Sequence, residues 1–269
     1  MRFLYLLVLL PLALPGCTTE DVTQEEAQGA LDEANYAANS SALTAEMTEV
    51  TTNFTIGQGV QQGAQKLKEF LATEIPCAKL TLADATLTVD FGALSDKCTW
   101  HGHAVTGTVS VHVDRNTDGD VQVTHTWTKV SNGKTIVSGT AVVTWQSALG
   151  QRHVVHDFTA TEVDGTRSIV GHGDRVQKLV DSSKGWAGGI QIDGERDWTA
   201  SSGKWLLTIA GVQIRGIDPV PQAGSYSLTL PSGKVLTLTF SRASPTSIDV
   251  VVSGGKRTYT FHVVSIQGS

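Results

Sequence analysis

Oxygen-bearing side chains fall at every second position of Asp114-Arg115-Asn116-Thr117-Asp118-Gly119-Asp120. That spacing, with a glycine for the sharp turn, suits a hard cation such as Ca²⁺. It matches the first half of an EF-hand loop. The second half departs from it, because His125 stands at the twelfth place where a bidentate glutamate belongs. Asp114, Asn116, Asp118 and Asp120 are therefore candidate ligands of a low-affinity Ca²⁺ site, and no cofactor beyond that candidate is expected. The competing expectation is a plain hairpin turn between Val113 and Val121, since Asp, Asn and Gly are turn residues anyway. His101-Gly102-His103 puts two imidazoles on one face of an extended segment, but a third zinc ligand at a telling spacing is missing.

His125, His156 and Arg196 form a second set. Each stands two residues before an aromatic, Trp127, Phe158 and Trp198. Strand alternation puts it on the same face as that aromatic. The three would line a groove able to grip an anionic or sugar ligand. The competing expectation is a row of rim residues with their polar tips in water. Nucleophilic chemistry has no support: G-x-S-x-G and H-E-x-x-H are absent, and the carboxylates do not stand out as an acid–base pair. No catalytic residue is nominated, and the chain is not expected to be an enzyme.

The start of the chain reads differently. Arg2 precedes an apolar run, Phe3 to Leu14, broken only by Pro11. These match the n- and h-regions of a signal peptide. The run is too short to span a bilayer as a helix, which takes ~20 apolar residues. Leu14-Pro15-Gly16-Cys17 closes it and resembles the lipobox of bacterial lipoproteins, with Pro15 departing from the family's usual small residue. The resemblance implies cleavage before Cys17, a diacylglycerol on its sulfur and a third, palmitate-like chain on its amine. Thr18 rather than Asp next to the cysteine implies an outer-membrane address, periplasmic or surface-facing.

The formal charge of -6 argues against nucleic acid as a partner and against attraction to anionic headgroups. Contact with the membrane is expected through the N-terminal lipid alone; a protein or glycan partner is left open. The remaining cysteines, Cys77 and Cys98, make an even pair in an oxidising compartment and are expected to form a disulfide. Two buried thiols are the alternative.

Three stretches follow: a signal peptide over 1–16, an acidic tether or weak helix over 17–55, and a β-rich domain with a leading amphipathic helix over 56–269. In the second, Val22, Ala27, Ala30, Leu31 and Ala34 recur at helical intervals, but charge of one sign and low hydrophobicity disfavour a packed core. In the third, Ile56, Val60, Ala64, Leu67, Phe70 and Leu71 share one helical face before Pro76. From Ala78 the period becomes two, as in Val105, Gly107, Val109, Val111 and Val113. Turn pairs recur at Asn132-Gly133, Asp164-Gly165, Ser202-Gly203, Ser232-Gly233 and Gly254-Gly255. The segments around Trp127, Phe158 and Trp198 repeat one hairpin, spaced by 31 and then 40 residues.

The expected fold is all-β with a short N-terminal helical segment: an antiparallel meander of repeated hairpins forming a large twisted sheet, a sandwich or an incomplete barrel. Cys77, the strand Thr86 to Gly92, Cys98 and Gly107-Thr108-Val109 resemble uncharacterised β-rich lipoproteins of Gram-negative bacteria, over roughly residues 75–175. That resemblance implies architecture and address, not mechanism. The expected function is a non-enzymatic binding or structural module at the cell envelope. The alternatives are an envelope-polymer hydrolase and a carrier of an apolar ligand in a half-barrel.

Overall fold

Each of the five turn pairs marks a hairpin between antiparallel strands, and glycine supplies the positive φ these turns need, 83° at Gly133 and 84° at Gly233. The computed structural model describes residues 21–55, 60–100, 103–184, 188–215 and 218–264; Cys17 and His101 lie outside them. Two helices come first, α1 (Gln24–Thr55) and α2 (Val60–Glu74). The strands follow: β1 (Lys79–Ala83), β2 (Thr86–Asp90), β3 (Thr99–Trp100), β4 (His103–Ala104), β5 (Thr106–Arg115), β6 (Val121–Ser131), β7 (Thr135–Gln146) and β8 (Gln151–Glu162). Then come β9 (Ser168–Leu179), β10 (Ile190–Ala200), β11 (Gly203–Ile214), β12 (Ala223–Thr229), β13 (Val235–Ser244), β14 (Ser247–Gly254) and β15 (Arg257–Val264).

Thirteen strands make one antiparallel meander, in the order β1-β2-β5 and then consecutively to β15. β3 and β4 form a separate small pair. The sheet is open, with β1 and β15 at its edges, so the single-sheet expectation holds over the sandwich. The five turn pairs are alternate connections along the meander, which puts all of them at one end of the sheet.

Alternation buries Val109, Val111 and Val113 on β5, Val123 and Trp127 on β6, and Phe158 on β8. Against this apolar face lie the helices. α2 buries Ala64, Leu67 and Leu71, as its periodicity predicts. Ile56, assigned to the same face, lies outside the described residues. Cys77, just past α2, is joined to Cys98 by a disulfide, with Cα atoms 5.2 Å apart.

α1 takes up residues 24–55 of the stretch expected as an acidic tether or weak helix, and it packs on the sheet, which its charge argued against. It opens with a capping box, in which Thr23 N–H donates to Glu26 Oε2 at 2.8 Å and Glu26 N–H donates to Thr23 Oγ1 at 3.1 Å. It then runs 32 residues across the sheet. At 1.5 Å per residue it is about 48 Å long; the eight inter-strand steps from β6 to β14 span about 38 Å. A diagonal helix therefore reaches from one to the other. The glutamates that look like a solvated charge run on paper find partners on the sheet. Glu26 accepts from Lys234 Nζ at 2.8 Å. Glu33, 8% exposed, accepts from Arg167 at 2.5 Å and from Trp198 Nε1 at 3.3 Å. Glu49 pairs with Arg152. Small residues such as Ala30 and Ala37 bring the helix close, and the ion pairs tie it to distant points of the sheet. No described helix is long and apolar enough to cross a membrane.

Candidate functional site

The β-register lines up the three residues singled out by the repeat. His125 lies opposite Ala141, Ala141 opposite His156, His156 opposite Gly173, and Gly173 opposite Arg196. One step along the same face, Trp127, Gly139, Phe158, Gly171 and Trp198 make a second row. Large side chains stand on β6, β8 and β10, and small residues stand between them on β7 and β9. The small residues are required by contact. A Cβ on Gly171 would meet the Phe158 ring at 2.5 Å, and one on Gly173 would meet His156 Cε1 at 2.2 Å. Gly139 on β7 and Gly171 on β9 are thus the second half of the repeat, each making room for the aromatic of a neighbouring strand. The third copy breaks the rule: Trp198 faces Trp205 on β11, and their rings stack with centroids 6.1 Å apart.

α1 covers the histidine row and divides it. His125 is fully buried, with Nε2 2.6 Å from Thr51 Oγ1, and burial pushes its pKa down to about 4. Next to it, buried Arg152 donates from Nε to Gln177 Oε1 at 2.6 Å and from a terminal nitrogen to Thr52 Oγ1 at 3.1 Å, and it pairs with Glu49. These groups hold the helix to the sheet and leave His125 no part in a groove.

His156 and Arg196 do line a cavity, about 210 Å³ in volume, between α1 and β6–β10. Thr44, Thr48 and Glu49 contribute from the helix, and Trp127, Arg175 and Gln177 from the sheet. Arg175, opposite Val154 on β8, was not nominated from sequence. It could have been found there: Ile169, Gly171, Gly173, Arg175 and Gln177 share one face by alternation. Its Nε and both ring nitrogens of His156 are buried without a hydrogen-bond partner among the described residues.

Electrostatics follow from this crowding. Burial, then the nearby Arg175 and Arg196 charges, push the His156 pKa down to about 3, so the imidazole is neutral at pH 7. Burial, then the Arg175 charge, pushes Arg196 down to about 10, and burial lowers Arg175 as well. Burial raises the Tyr226 phenol against the pull of the two guanidiniums. Two half-buried guanidiniums and a neutral imidazole beside one lining carboxylate, itself held by Arg152, make a positive, donor-rich chamber.

The Asp114–Asp120 loop is a hairpin turn. Asn116 Oδ1 accepts from the backbone N–H groups of Asp118, at 3.0 Å, and Asp120, at 2.8 Å, while Arg115 donates to the Gly119 carbonyl at 2.6 Å. The Asn116 oxygen assigned to a cation is thus used to build the turn. The aspartates do not converge: among the described residues no group of three or more His, Cys, Asp or Glu side chains could hold a metal ion.

No protein-family model matches the chain, no curated protein matches it in sequence, and no solved structure matches its fold.

Proposed function

We propose that the protein is a lipid-anchored envelope lipoprotein whose body is a non-enzymatic binding module, and that the cavity beneath α1 takes a small anion bearing a carboxylate or phosphate. The observation that carries the reading is the meeting of Arg175, Arg196 and neutral His156 in one cavity between helix and sheet. Guanidinium forks match the geometry of such anions, and partly dried walls strengthen the attraction. Neutral His156 retains one donor and one acceptor nitrogen for the rest of the ligand.

A glycosidase reading of the hydrolase alternative needs two carboxylates at the site, and Glu49 is the one carboxylate among the described lining residues. The apolar-ligand carrier needs an open greasy interior, whereas α1 occupies the apolar face and the cavity is cationic. The anchor rests on the Leu14 to Cys17 lipobox.

Thermal melts of the purified protein in inorganic phosphate and in succinate, at ionic strength matched with chloride, test the site. Either ion should raise Tm at millimolar concentration, and Arg175→Met should abolish the rise. An equal Tm in phosphate, succinate and chloride would overturn the assignment. For the anchor, Cys17→Ala should move the protein from the membrane to the soluble fraction; unchanged fractionation would refute it.

A further inference from the structure

The chain enters the fold at a fixed corner. Asp21 Oδ1 accepts the Lys256 backbone N–H at 2.5 Å, and the Asp21 carbonyl accepts from Lys234 Nζ at 3.3 Å. Val22, 4% exposed, sits so tightly on the β14–β15 turn that a Cβ on Gly254 would meet it at 2.8 Å. The root of α1 is therefore pinned to one end of the last hairpin.

Beside it lies an apolar groove of about 280 Å³, lined by Val22, Leu31, Leu236, Val252, Tyr259 and Phe261. Its outer wall is β15, the edge strand, where Tyr259 is 53% exposed and Phe261 55% exposed, two aromatics on one strand face. Exposed Lys256 and Arg257 stand at the start of that strand in a chain of net charge -6. Exposed rings flanked by cations at one corner are the composition of a membrane-interface contact: aromatics settle at headgroup depth and Lys/Arg meet phosphates.

We propose that this corner, the β15 face of Tyr259 and Phe261 with Lys256 and Arg257, docks on the bilayer surface beside the lipid anchor. The inference rests on acylation of Cys17. Asp21 is four chain steps on from Cys17, so the anchored residue can lie no farther than roughly 14 Å from the pinned corner. A corner held that close to the bilayer presents its aromatics to headgroups continuously. Acyl chains alone would leave the body free to swivel; docking gives it one orientation, with the five-turn end of the sheet toward the membrane.

The test uses the full acylated chain in vesicles of phosphatidylethanolamine and phosphatidylglycerol. An environment-sensitive NBD probe is placed at Phe261→Cys, with Tyr259→Cys as a second site and Thr117→Cys, in the β5–β6 turn at the opposite end of the sheet, as control. Cys77 and Cys98 are paired and Cys17 is acylated, so the new thiol labels alone. The expected result is a several-fold rise and blue shift of emission at 261 and 259 on vesicle binding, with quenching by headgroup-labelled nitroxide lipids and no change at 117. Protein that floats with vesicles while its 261 and 259 probes respond no more than the 117 probe would overturn the docking and leave the anchor intact. A rise that needs no vesicles and grows with protein concentration would also overturn it, assigning the edge to a second copy. Mass spectrometry showing an unmodified Cys17 would remove the anchor, and the docking with it.

Discussion

Gly173 on β9 sits directly across from His156 on β8, and the space where a side chain would begin is filled by the imidazole. One position decides how His156 lies against the cavity wall. Gly173→Ala should therefore cost ~1–3 kcal/mol by overpacking. In a His156→Ala background the same change should cost much less, because the clashing ring is gone. Urea unfolding of the four proteins measures the coupling; an equal cost in both backgrounds would contradict the contact.

Arg175 illustrates a function–stability conflict. A half-buried guanidinium beside a second cation is unfavourable without an anion. Arg175→Met keeps length and apolar volume and removes the charge. It should leave the anion-free protein equally stable or more stable by up to ~1 kcal/mol, while lowering phosphate affinity at least tenfold. Calorimetric titration and chemical denaturation of the same preparation read both quantities. Loss of stability with affinity unchanged would mean that Arg175 serves packing alone.

Acid should destabilise the protein early. His125 and His156 are held neutral, at about 4 and about 3 against 6.5 for an unperturbed imidazole. The unfolded chain then binds more protons across that interval, so the stability they contribute is complete above pH 6.5 and erodes as pH falls. With both histidines titrating only in the unfolded chain, the slope approaches ~2.7 kcal/mol per pH unit. It ends near pH 4 for His125 and near pH 3 for His156. Between about pH 6.5 and 5 ordinary carboxylates contribute little, so the part of the slope there that substitution of His125 or His156 removes is theirs. His125→Gln and His156→Asn should each flatten the profile, and phosphate should steepen the native preference at low pH if it binds beside His156.

The Cys77–Cys98 bridge joins residues 21 apart in sequence. Reduction, or Cys98→Ala, should cost ~3 kcal/mol through the entropy of the unfolded chain. The loss should be felt first where α2 meets β1, β2 and β5. Hydrogen exchange on the reduced protein locates it; uniform loosening from β1 to β15 would argue against a local role.

Much of the architecture is written in local chemistry. Period-two alternation in Val109-Ser110-Val111-His112-Val113 and turn pairs such as Asn132-Gly133 specify strands and hairpins, because side-chain direction and positive φ are properties of one or two residues. The aromatic repeat likewise placed His125, His156 and Arg196 in one cross-strand row, since equal positions in equal hairpins share a register. Two things required the assembled sheet. α1 looks too polar to pack because its partners, Lys234, Arg167 and Arg152, lie more than a hundred residues away. His125 leaves the candidate site because Thr51 and α1 cover it, while Arg175 joins because a neighbouring strand brings it alongside Arg196. The Asp114 loop closes on its own Asn116, a choice between ligand and turn that spacing leaves open. Local conformation is encoded residue by residue; which charge ends up buried beside which is set by contacts between distant segments, and only the packed helix and sheet determine them.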